Sequence, residues 1–246
     1  MTQNFSSQEF PAPFLRRDIW NKTQIRVPIS IDLSITPHTL VLGSTGSGKT
    51  TAIRSFVAHI LYTPAYEGAQ LIVCDYKGLD YNFLVGQDRY FAHDTYRDGI
   101  ELFKKTLDSR IKEQNKIMNP ILLVMDEWNN FITDLSKKEA DEYIKLLSYS
   151  LNMGRAYQMY VICGAQTAHV DWFGKSRDSF STVIGLGQLS KEAASMMFSD
   201  YKEKIVPCPR GCGYLLQDGF SLKEILVPRV RNMKKLEKVL IDGISR

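Results

Sequence analysis

Thr39-Leu40-Val41-Leu42-Gly43-Ser44-Thr45-Gly46-Ser47-Gly48-Lys49-Thr50-Thr51 decides the fold of this chain. The stretch reads as an apolar strand, a glycine-rich loop and the start of a helix, in that order. Gly43, Gly48, Lys49 and Thr50 fit the pattern G-x-x-x-x-G-K-[ST] at every fixed position. The pattern therefore predicts a loop that holds phosphate groups between a buried strand and a helix.

The residue types in this loop suit a bound triphosphate. Glycines allow backbone N–H groups to curl around the phosphates, and a helix that begins near Lys49 points its positive end at them. The Lys49 ammonium can reach the outer phosphates, and the Thr50 hydroxyl can bind Mg²⁺. We expect the ligand to contact the whole loop: Gly43, Ser44, Thr45, Gly46, Ser47, Gly48, Lys49, Thr50 and Thr51. A chance turn is the alternative, and the flanking strand and helix signals argue against it.

Length and composition fit a globular protein. The chain has 246 residues, of which 44% are apolar, enough for one α/β domain with a modest extension. No apolar run approaches the roughly 20 residues that span a bilayer, and the first residues lack the apolar core of a signal peptide. We therefore expect a cytoplasmic protein that does not insert into a membrane by itself.

The positive charge is concentrated at the end of the sequence. The net charge is +4, and residues 221–246 hold seven Lys/Arg against three Asp/Glu, which accounts for all of it. This basicity is mild for a dedicated DNA-binding module. A solvated helix face explains it as well as a nucleic-acid contact does.

Two cysteines have the spacing of metal ligands. Cys208 and Cys212 flank Pro-Arg-Gly, but no second Cys/His pair follows, and structural zinc normally has four ligands. A tight glycine-containing turn and a zinc site both remain open. Cys74 and Cys163 end apolar runs, which favours buried thiols.

Apolar runs alternate with amphipathic segments along most of the chain. This alternation predicts an α/β fold, with a mostly parallel sheet and right-handed crossovers. With the phosphate loop after the first core strand, the fold is that of a P-loop NTPase with a RecA-like sheet flanked by helices. The predicted strands are 25–33, 39–42, 71–75, 121–126, 159–163, 182–186 and 214–217, and the predicted helices are 49–61, 99–117, 138–149, 190–198 and 233–240.

Three regions are expected along the chain. Residues 1–24 show no clear periodicity and predict an irregular arm, with Phe10, Phe14 and Trp20 able to dock on this chain or on a neighbour. Residues 25–220 form the ATPase domain, and 221–246 form a basic strand and helix extension.

Two carboxylates end the run Ile121-Leu-Leu-Val-Met-Asp126-Glu127. In a P-loop sheet an Asp at this place lies beside the metal, so we expect Thr50 and Asp126 to hold Mg²⁺, Asp126 through water. Glu127 is then placed to orient and deprotonate an attacking water. The alternatives are a turn residue for Asp126 and a surface carboxylate for Glu127.

Two residues flank the run at 159–163. Gln166 follows it, where an amide can reach a γ-phosphate or the attacking water. Arg155 precedes it, and the sequence leaves two roles open: a cap on the preceding helix, or a finger that reaches a neighbouring subunit's nucleotide.

Four blocks of this sequence resemble the FtsK/SpoIIIE DNA translocases of the FtsK–HerA superfamily. Residues 37–49 look like that family's loop region, and Asp75-Tyr76-Lys77-Gly78 is similar to its Asp-Pro-Lys motif. Met125-Asp126-Glu127 matches its Asp-Glu pair, and residues 154–167 resemble its block of Arg-Ala, strand, Ala-Thr-Gln. The blocks follow the family's order, over about residues 25–220.

The resemblance implies a ring, usually a hexamer, that moves DNA with energy from ATP and Mg²⁺. It also implies that Arg155 serves a neighbour's ATP and that Gln166 senses the γ-phosphate. Departures are Tyr76 in place of the proline, Trp128 after the acidic pair, and Gln166 directly after Gly-Ala. The compact motors of plasmids, integrative elements and phages are the nearest kind, so relaxase, replication or packaging proteins are expected partners.

Two other functions are weighed against the motor. An assembly or loading factor would use ATP to form a ring that recruits a helicase or relaxase without translocating. A small-molecule kinase or GTPase is disfavoured, because the sequence lacks a guanine-binding N/T-K-x-D motif and a kinase would not need Glu127 beside Asp126.

Overall fold

A computed structural model describes residues 8–113 and 118–246 of the chain. Within these residues the strands are β1 (Phe10–Arg16), β2 (Pro28–Ile31), β3 (Thr39–Gly43), β4 (Gln70–Asp75), β5 (Tyr90–Ala92), β6 (Ile121–Asp126), β7 (Met159–Ala165), β8 (Thr182–Leu186), β9 (Cys212–Gln217) and β10 (Ser221–Leu226). The α-helices are α1 (Arg17–Thr23), α2 (Lys49–Tyr62), α3 (Tyr96–Glu113), α4 (Trp128–Thr133), α5 (Lys137–Gly154), α6 (Val170–Phe173), α7 (Lys191–Met197) and α8 (Met233–Ser245).

The strands form one sheet in the order β2-β1-β10-β9-β8-β3-β7-β6-β4-β5. From β8 to β5 every neighbouring pair is parallel, so the carboxyl ends of these strands lie along one edge. The strands from β2 to β9 extend the sheet through antiparallel pairs. The predicted α/β fold with a mostly parallel sheet is confirmed.

Both faces of the parallel strands are covered by helices. Every residue of β3, β6 and β7 is buried, which explains why these strands read as continuous apolar runs. One face packs against α2 and α8, through residues such as Phe56 and Leu240. The other packs against α3 and α5, through Phe103 and Leu147.

Several predicted boundaries agree with the structure. The strand predicted at 182–186 is β8, and Ser190 caps α7 by accepting a hydrogen bond from Ala193 N at 3.0 Å. Residues 114–117 of the predicted helix 99–117 lie outside the described residues. In the described parts of the chain, no helix is long and apolar enough to cross a membrane.

The interpretation of residues 1–24 as irregular is wrong for Phe10–Thr23, which form β1 and α1. Phe10 and Phe14 are fully buried, and both rings lie within 6 Å of the Phe56 ring. Pro11 and Pro13 argued against a strand in the sequence, because proline cannot donate a ladder hydrogen bond. In the structure the pairing of β1 with β2 is irregular between Pro11 and Leu15, which accommodates them. Residues 1–7 lie outside the described residues.

The extension predicted at 221–246 shares the core of the domain. β10 pairs with β9 at every position from Ser221 to Leu226, and α8 contributes Leu240 and Ile244 to the cluster around α2.

If β1 is part of the core, Phe14→Ala removes a fully buried ring that contacts Phe56. We expect the free energy of unfolding to fall by about 3–5 kcal/mol, because the cavity adds to the lost burial. Chemical denaturation measures this, with Phe220→Ala as the control, since Phe220 is 73% exposed. Equal stability of the two variants would contradict the packing of β1.

Candidate nucleotide-binding site

The glycine-rich loop lies between the end of β3 and the start of α2. Its tip, Ser44 to Gly46, is exposed, and Ser47 N donates to Ser44 O at 3.1 Å to close the turn. Gly48 caps the helix with a φ of 99°, a left-handed conformation that costs little only for glycine. The N–H groups at the start of α2 therefore face the space above the loop, as an anion site requires.

Thr50 and Asp126 meet beside the loop. Thr50 Oγ1 donates to Asp126 Oδ2 at 2.8 Å, and Asp126 Oδ1 accepts from Glu127 N at 3.0 Å. Gly164 on β7 leaves the room for this carboxylate, because a Cβ there would lie 2.5 Å from Asp126 Oδ1. A hydroxyl and a carboxylate side by side are the kind of oxygen ligands that suit Mg²⁺.

Lys49 is buried and paired with the second carboxylate. Its side chain is 5% exposed, and its ammonium lies 2.8 Å from Glu127 Oε1 and 4.0 Å from Asp126 Oδ1. A buried ammonium needs an anionic partner, because an unpaired charge at this depth would destabilise the fold by about 3–5 kcal/mol. The ion pair joins the loop to the end of β6.

Glu127 is held by four side chains. Lys77 Nζ lies 3.0 Å from Glu127 Oε1, while Asn130 Nδ2 and Gln166 Nε2 donate to Oε2 at 3.2 and 3.4 Å. Burial opposes ionisation of Glu127, but the pairs with Lys49 and Lys77 outweigh it and lower its pKa. The carboxylate is therefore charged at neutral pH.

Asp126 has the opposite shift. Burial raises its pKa to about 6, against the opposing effects of the Lys49 charge and the Thr50 hydrogen bond. A divalent cation at Thr50 and Asp126 would reverse this shift, because it favours the ionised carboxylate. The two acids thus differ in their affinity for protons, although they are adjacent in sequence.

Gln166 lies where the sequence predicts, at the end of β7 and beside Glu127. Asn129 fixes this segment: its Oδ1 accepts from Gln166 N at 2.7 Å, and its Nδ2 donates to Thr167 O at 3.1 Å. The structure thus brings Lys49, Thr50, Asp126, Glu127 and Gln166 into one cluster.

Arg155 is not part of this cluster. It is exposed and follows α5, four residues before β7 begins, whereas the cluster lies at the carboxyl end of β7. Seven residues of strand separate the two ends by about 20 Å. Arg155 cannot reach this chain's own loop, and a role at a neighbour's site stays a prediction.

Three further residues contact this cluster, and the sequence assigned them no role. Lys77 follows β4, whose Asp75 is in register with Asp126 on β6, and the sequence spacing does not show that these two strands are neighbours. Asn129 and Asn130 sit on α4, directly after the acidic pair, but nothing in their spacing shows which way they point. Trp128, noted as a departure from the family pattern, is fully buried and donates from Nε1 to Trp172 O at 2.7 Å.

The segment from Cys208 to Cys212 forms a turn. Cys212 N donates to Pro209 O at 3.0 Å, and Gly211 has a φ of 76°. In the described part of the chain, no group of three or more His, Cys, Asp or Glu could hold a metal ion. Of the two readings left open by the sequence, the structure favours the turn.

Comparison with known proteins agrees with this geometry. The sequence profile described as the FtsK/SpoIIIE family matches residues 18–87. The Ftsk domain-containing protein YdcQ of Bacillus subtilis is 26% identical over 190 residues, and the DNA translocase FtsK of Clostridium tetani is 25% identical over 165. The resemblance to the FtsK/SpoIIIE family is confirmed. These matches cover 69% and 57% of this chain, but only 38% of YdcQ and 22% of the Clostridium FtsK.

Solved structures show the same FtsK-like ATPase fold at lower identity. The pCW3 conjugation coupling protein TcpA, solved with ATPγS, superposes with a TM-score of 0.69 at 17% identity, over 96% of this chain and 71% of TcpA. The cytoplasmic domain of the Thermomonospora curvata type VII secretion ATPase EccC gives 0.68 at 17% identity, over 97% of this chain and 31% of EccC. The P-loop NTPase fold predicted from the sequence is confirmed.

Asp126 makes stability depend on pH. Because its pKa in the folded chain is about 6 rather than 3.8, its protonated form stabilises the fold below about pH 4, and this contribution is lost as pH rises through about 6. Asp126→Asn stays uncharged, so we expect the free energy of unfolding without nucleotide at pH 7 to rise by on the order of 1–3 kcal/mol.

Chemical denaturation between pH 4 and pH 8, with chelator present, measures this effect. Asp141→Asn is the matched control, since Asp141 is exposed on α5, and its curve should follow that of the unmodified chain. Lower stability of Asp126→Asn at pH 7 would show that burial of this charge is not a cost.

Proposed function

We propose that this chain is an ATPase motor that couples ATP hydrolysis to movement of DNA through a ring of identical subunits. The observation that carries the proposal is the meeting of Lys49 and Thr50 on the loop with Asp126 and Glu127 at the end of β6. A phosphate-binding loop with a metal-binding acid and a second acid beside it is the arrangement that hydrolyses a nucleoside triphosphate.

The loop and Thr50 would bind the substrate. Phosphate oxygens on the loop offer Lys49 a new partner in place of Glu127, so the Lys49–Glu127 pair need not persist when nucleotide binds. Thr50 and Asp126 would hold Mg²⁺, which supplies charge neutralisation at the outer phosphates. The raised pKa of Asp126 suits this role, because the cation would compensate a charge that burial disfavours.

Glu127 would act as the general base. Its lowered pKa keeps it charged, and loss of Lys49 as a partner increases its basicity, since a neighbouring cation favours the ionised form. Lys77 and Asn130 would still hold the carboxylate at the end of β6. Gln166, in contact with the same carboxylate, would orient the water or sense the terminal phosphate.

The assignment of DNA as the transported polymer is supported by relatives. DNA translocase is the name of several of them, including the FtsK of Clostridium tetani. Structural neighbours include a conjugation coupling protein and the genome packaging NTPase B204 of Sulfolobus turreted icosahedral virus 2, with a TM-score of 0.55 at 14% identity. Transfer of a plasmid or integrative element, its replication, and packaging of a phage genome are settings that this proposal allows.

Arg155 would act between subunits of the ring. It is exposed at the edge of the sheet opposite to the loop, so any catalytic role would be at the site of an adjacent subunit. Such a residue contributes about 10³–10⁵ in kcat where it stabilises the transferred phosphoryl group.

The decisive experiment measures ATP hydrolysis by the assembled protein with and without duplex and single-stranded DNA, and displacement of a triplex-forming strand. We expect DNA to stimulate hydrolysis and the third strand to be displaced. Glu127→Gln should bind ATP but lose about 10²–10⁴ in turnover, because general-base assistance is removed. Glu142→Gln, at an exposed position of α5, is the control and should behave as the unmodified chain.

Each failure in this experiment has a separate meaning. An equal rate of ATP hydrolysis with and without DNA would contradict the motor function. Stimulated hydrolysis without strand displacement would favour the loading factor. Normal turnover by Glu127→Gln would remove Glu127 as the base.

The position of Arg155 predicts a mixing effect. Arg155→Ala subunits added to unmodified ones should lower activity more than in proportion to their share, because each one disables the site of its neighbour. Lys145→Ala, exposed on α5, is the control and should dilute without inhibiting. A strictly proportional loss with Arg155→Ala would assign this arginine a local structural role.

A further inference from the structure

A second cleft lies on the same edge of the sheet as the phosphate loop. It has a volume of about 660 Å³ and is lined by the end of β1, α1 and the segment after β10. β1 and β10 are antiparallel, with Leu15 opposite Leu226, and β10 ends where β9 begins, at the carboxyl end of β8. The cleft and the loop therefore face the same side of the molecule.

Two hydrogen bonds connect the loop to the wall of this cleft. Gly211 N donates to Ser47 O at 3.2 Å, and Val227 N donates to Gly211 O at 2.7 Å. Val227 is itself a lining residue of the cleft. The turn between Cys208 and Cys212 is thus a physical link between the phosphate loop and the cleft.

α1 places an aromatic ring at the cleft. Arg17 on this helix donates to Glu224 Oε2 at 2.7 Å and to Cys208 Sγ at 3.1 Å, which ties α1 to β10 and to the turn. One turn further on, Trp20 lines the cleft, and the Arg26 guanidinium lies 6.0 Å from its ring centroid. A fixed helix with a half-buried indole offers a rigid stacking surface.

The lining suits a planar, electron-rich ring. Leu15 and Leu226 supply apolar walls, Trp20 an aromatic face, and Arg26, Arg229 and Arg231 positive charge, with no acidic residue among the lining residues. Nucleic-acid bases stack on indole rings and on guanidinium planes. The Arg26 side chain is exposed and lies over the same indole.

A nucleotide whose phosphates lie on the loop would point its base toward this cleft. Its terminal phosphate would face Asp126 on β6, two strands from β3 in one direction. The rest of a nucleotide in that orientation would extend the other way, past β8 and β9. β10 is the third strand on that side, about 14 Å across the sheet, a distance that an extended nucleoside triphosphate can span.

We propose that this cleft binds the base of the nucleotide whose phosphates lie on the loop at Gly43–Thr51, with Trp20 as the stacking residue. The inference rests on the proposed function and adds to it a subsite that recognises the purine end of the substrate. Trp20 is here a binding residue and takes no part in hydrolysis.

The experiment compares two probes on the full chain by titration calorimetry with Mg²⁺: ATP, and inorganic tripolyphosphate, which has no base. Trp20→Ala should weaken ATP binding about tenfold, the loss expected for one stacked base, and leave tripolyphosphate binding unchanged. Trp20→Phe should retain most of the ATP affinity. Phe220→Ala removes an aromatic ring that is 73% exposed in the turn between β9 and β10, and should change neither affinity.

The results separate this inference from the proposed function. If the unmodified chain binds neither probe, both fall. If it binds both probes and Trp20→Ala leaves ATP affinity unchanged, or weakens both probes equally, only the base subsite falls. Loss of binding to a single-stranded oligonucleotide, with ATP affinity intact, would reassign the cleft to DNA and overturn the proposal.

Discussion

The ion pair between Lys49 and Glu127 is the interaction on which the site depends. It joins the loop after β3 to the end of β6, across the intervening strand β7. Only parallel strands in register can place these two ends at the same edge, so the pair is a consequence of the sheet topology. The helices on both faces exclude water from the strands. The buried charges therefore interact more strongly with each other than they would in water.

The charges of the cluster balance. Lys49 and Lys77 face Asp126 and Glu127, and Lys77, at 35% exposure, is the one of the four that reaches solvent. In such a buried cluster, replacing one charged partner by another costs less free energy than removing it, because removal leaves an unpaired buried charge. A divalent cation that entered with the phosphates would offset part of the negative charge that they bring to this balanced cluster.

Much of this arrangement could be predicted from the sequence. The loop, the acidic pair and the strands β3, β4, β6, β7 and β8 carry strong local signals, because a strand buried on both faces reads as an apolar run. β1 escaped prediction because its prolines hide the alternation of Phe10, Ala12 and Phe14. Lys77 escaped because its role depends on which strand lies next to β4, a fact of topology that spacing along the chain does not contain. The cleft beside Trp20 is likewise built from segments about 200 residues apart in sequence.

The backbone of Glu127 has a consequence for motion. Its φ is 59°, a left-handed conformation that costs a residue with a side chain on the order of 1–3 kcal/mol. The carboxylate contacts help to hold the residue there, and α4 begins at the next position, with Trp128 bonded to the carbonyl of Trp172. Exchange of those contacts for other partners would remove part of what holds Glu127 in this conformation, at the residue that directly precedes α4. Any change in the backbone of Glu127 would therefore be felt first by α4 and, through Trp128, by the segment around Trp172.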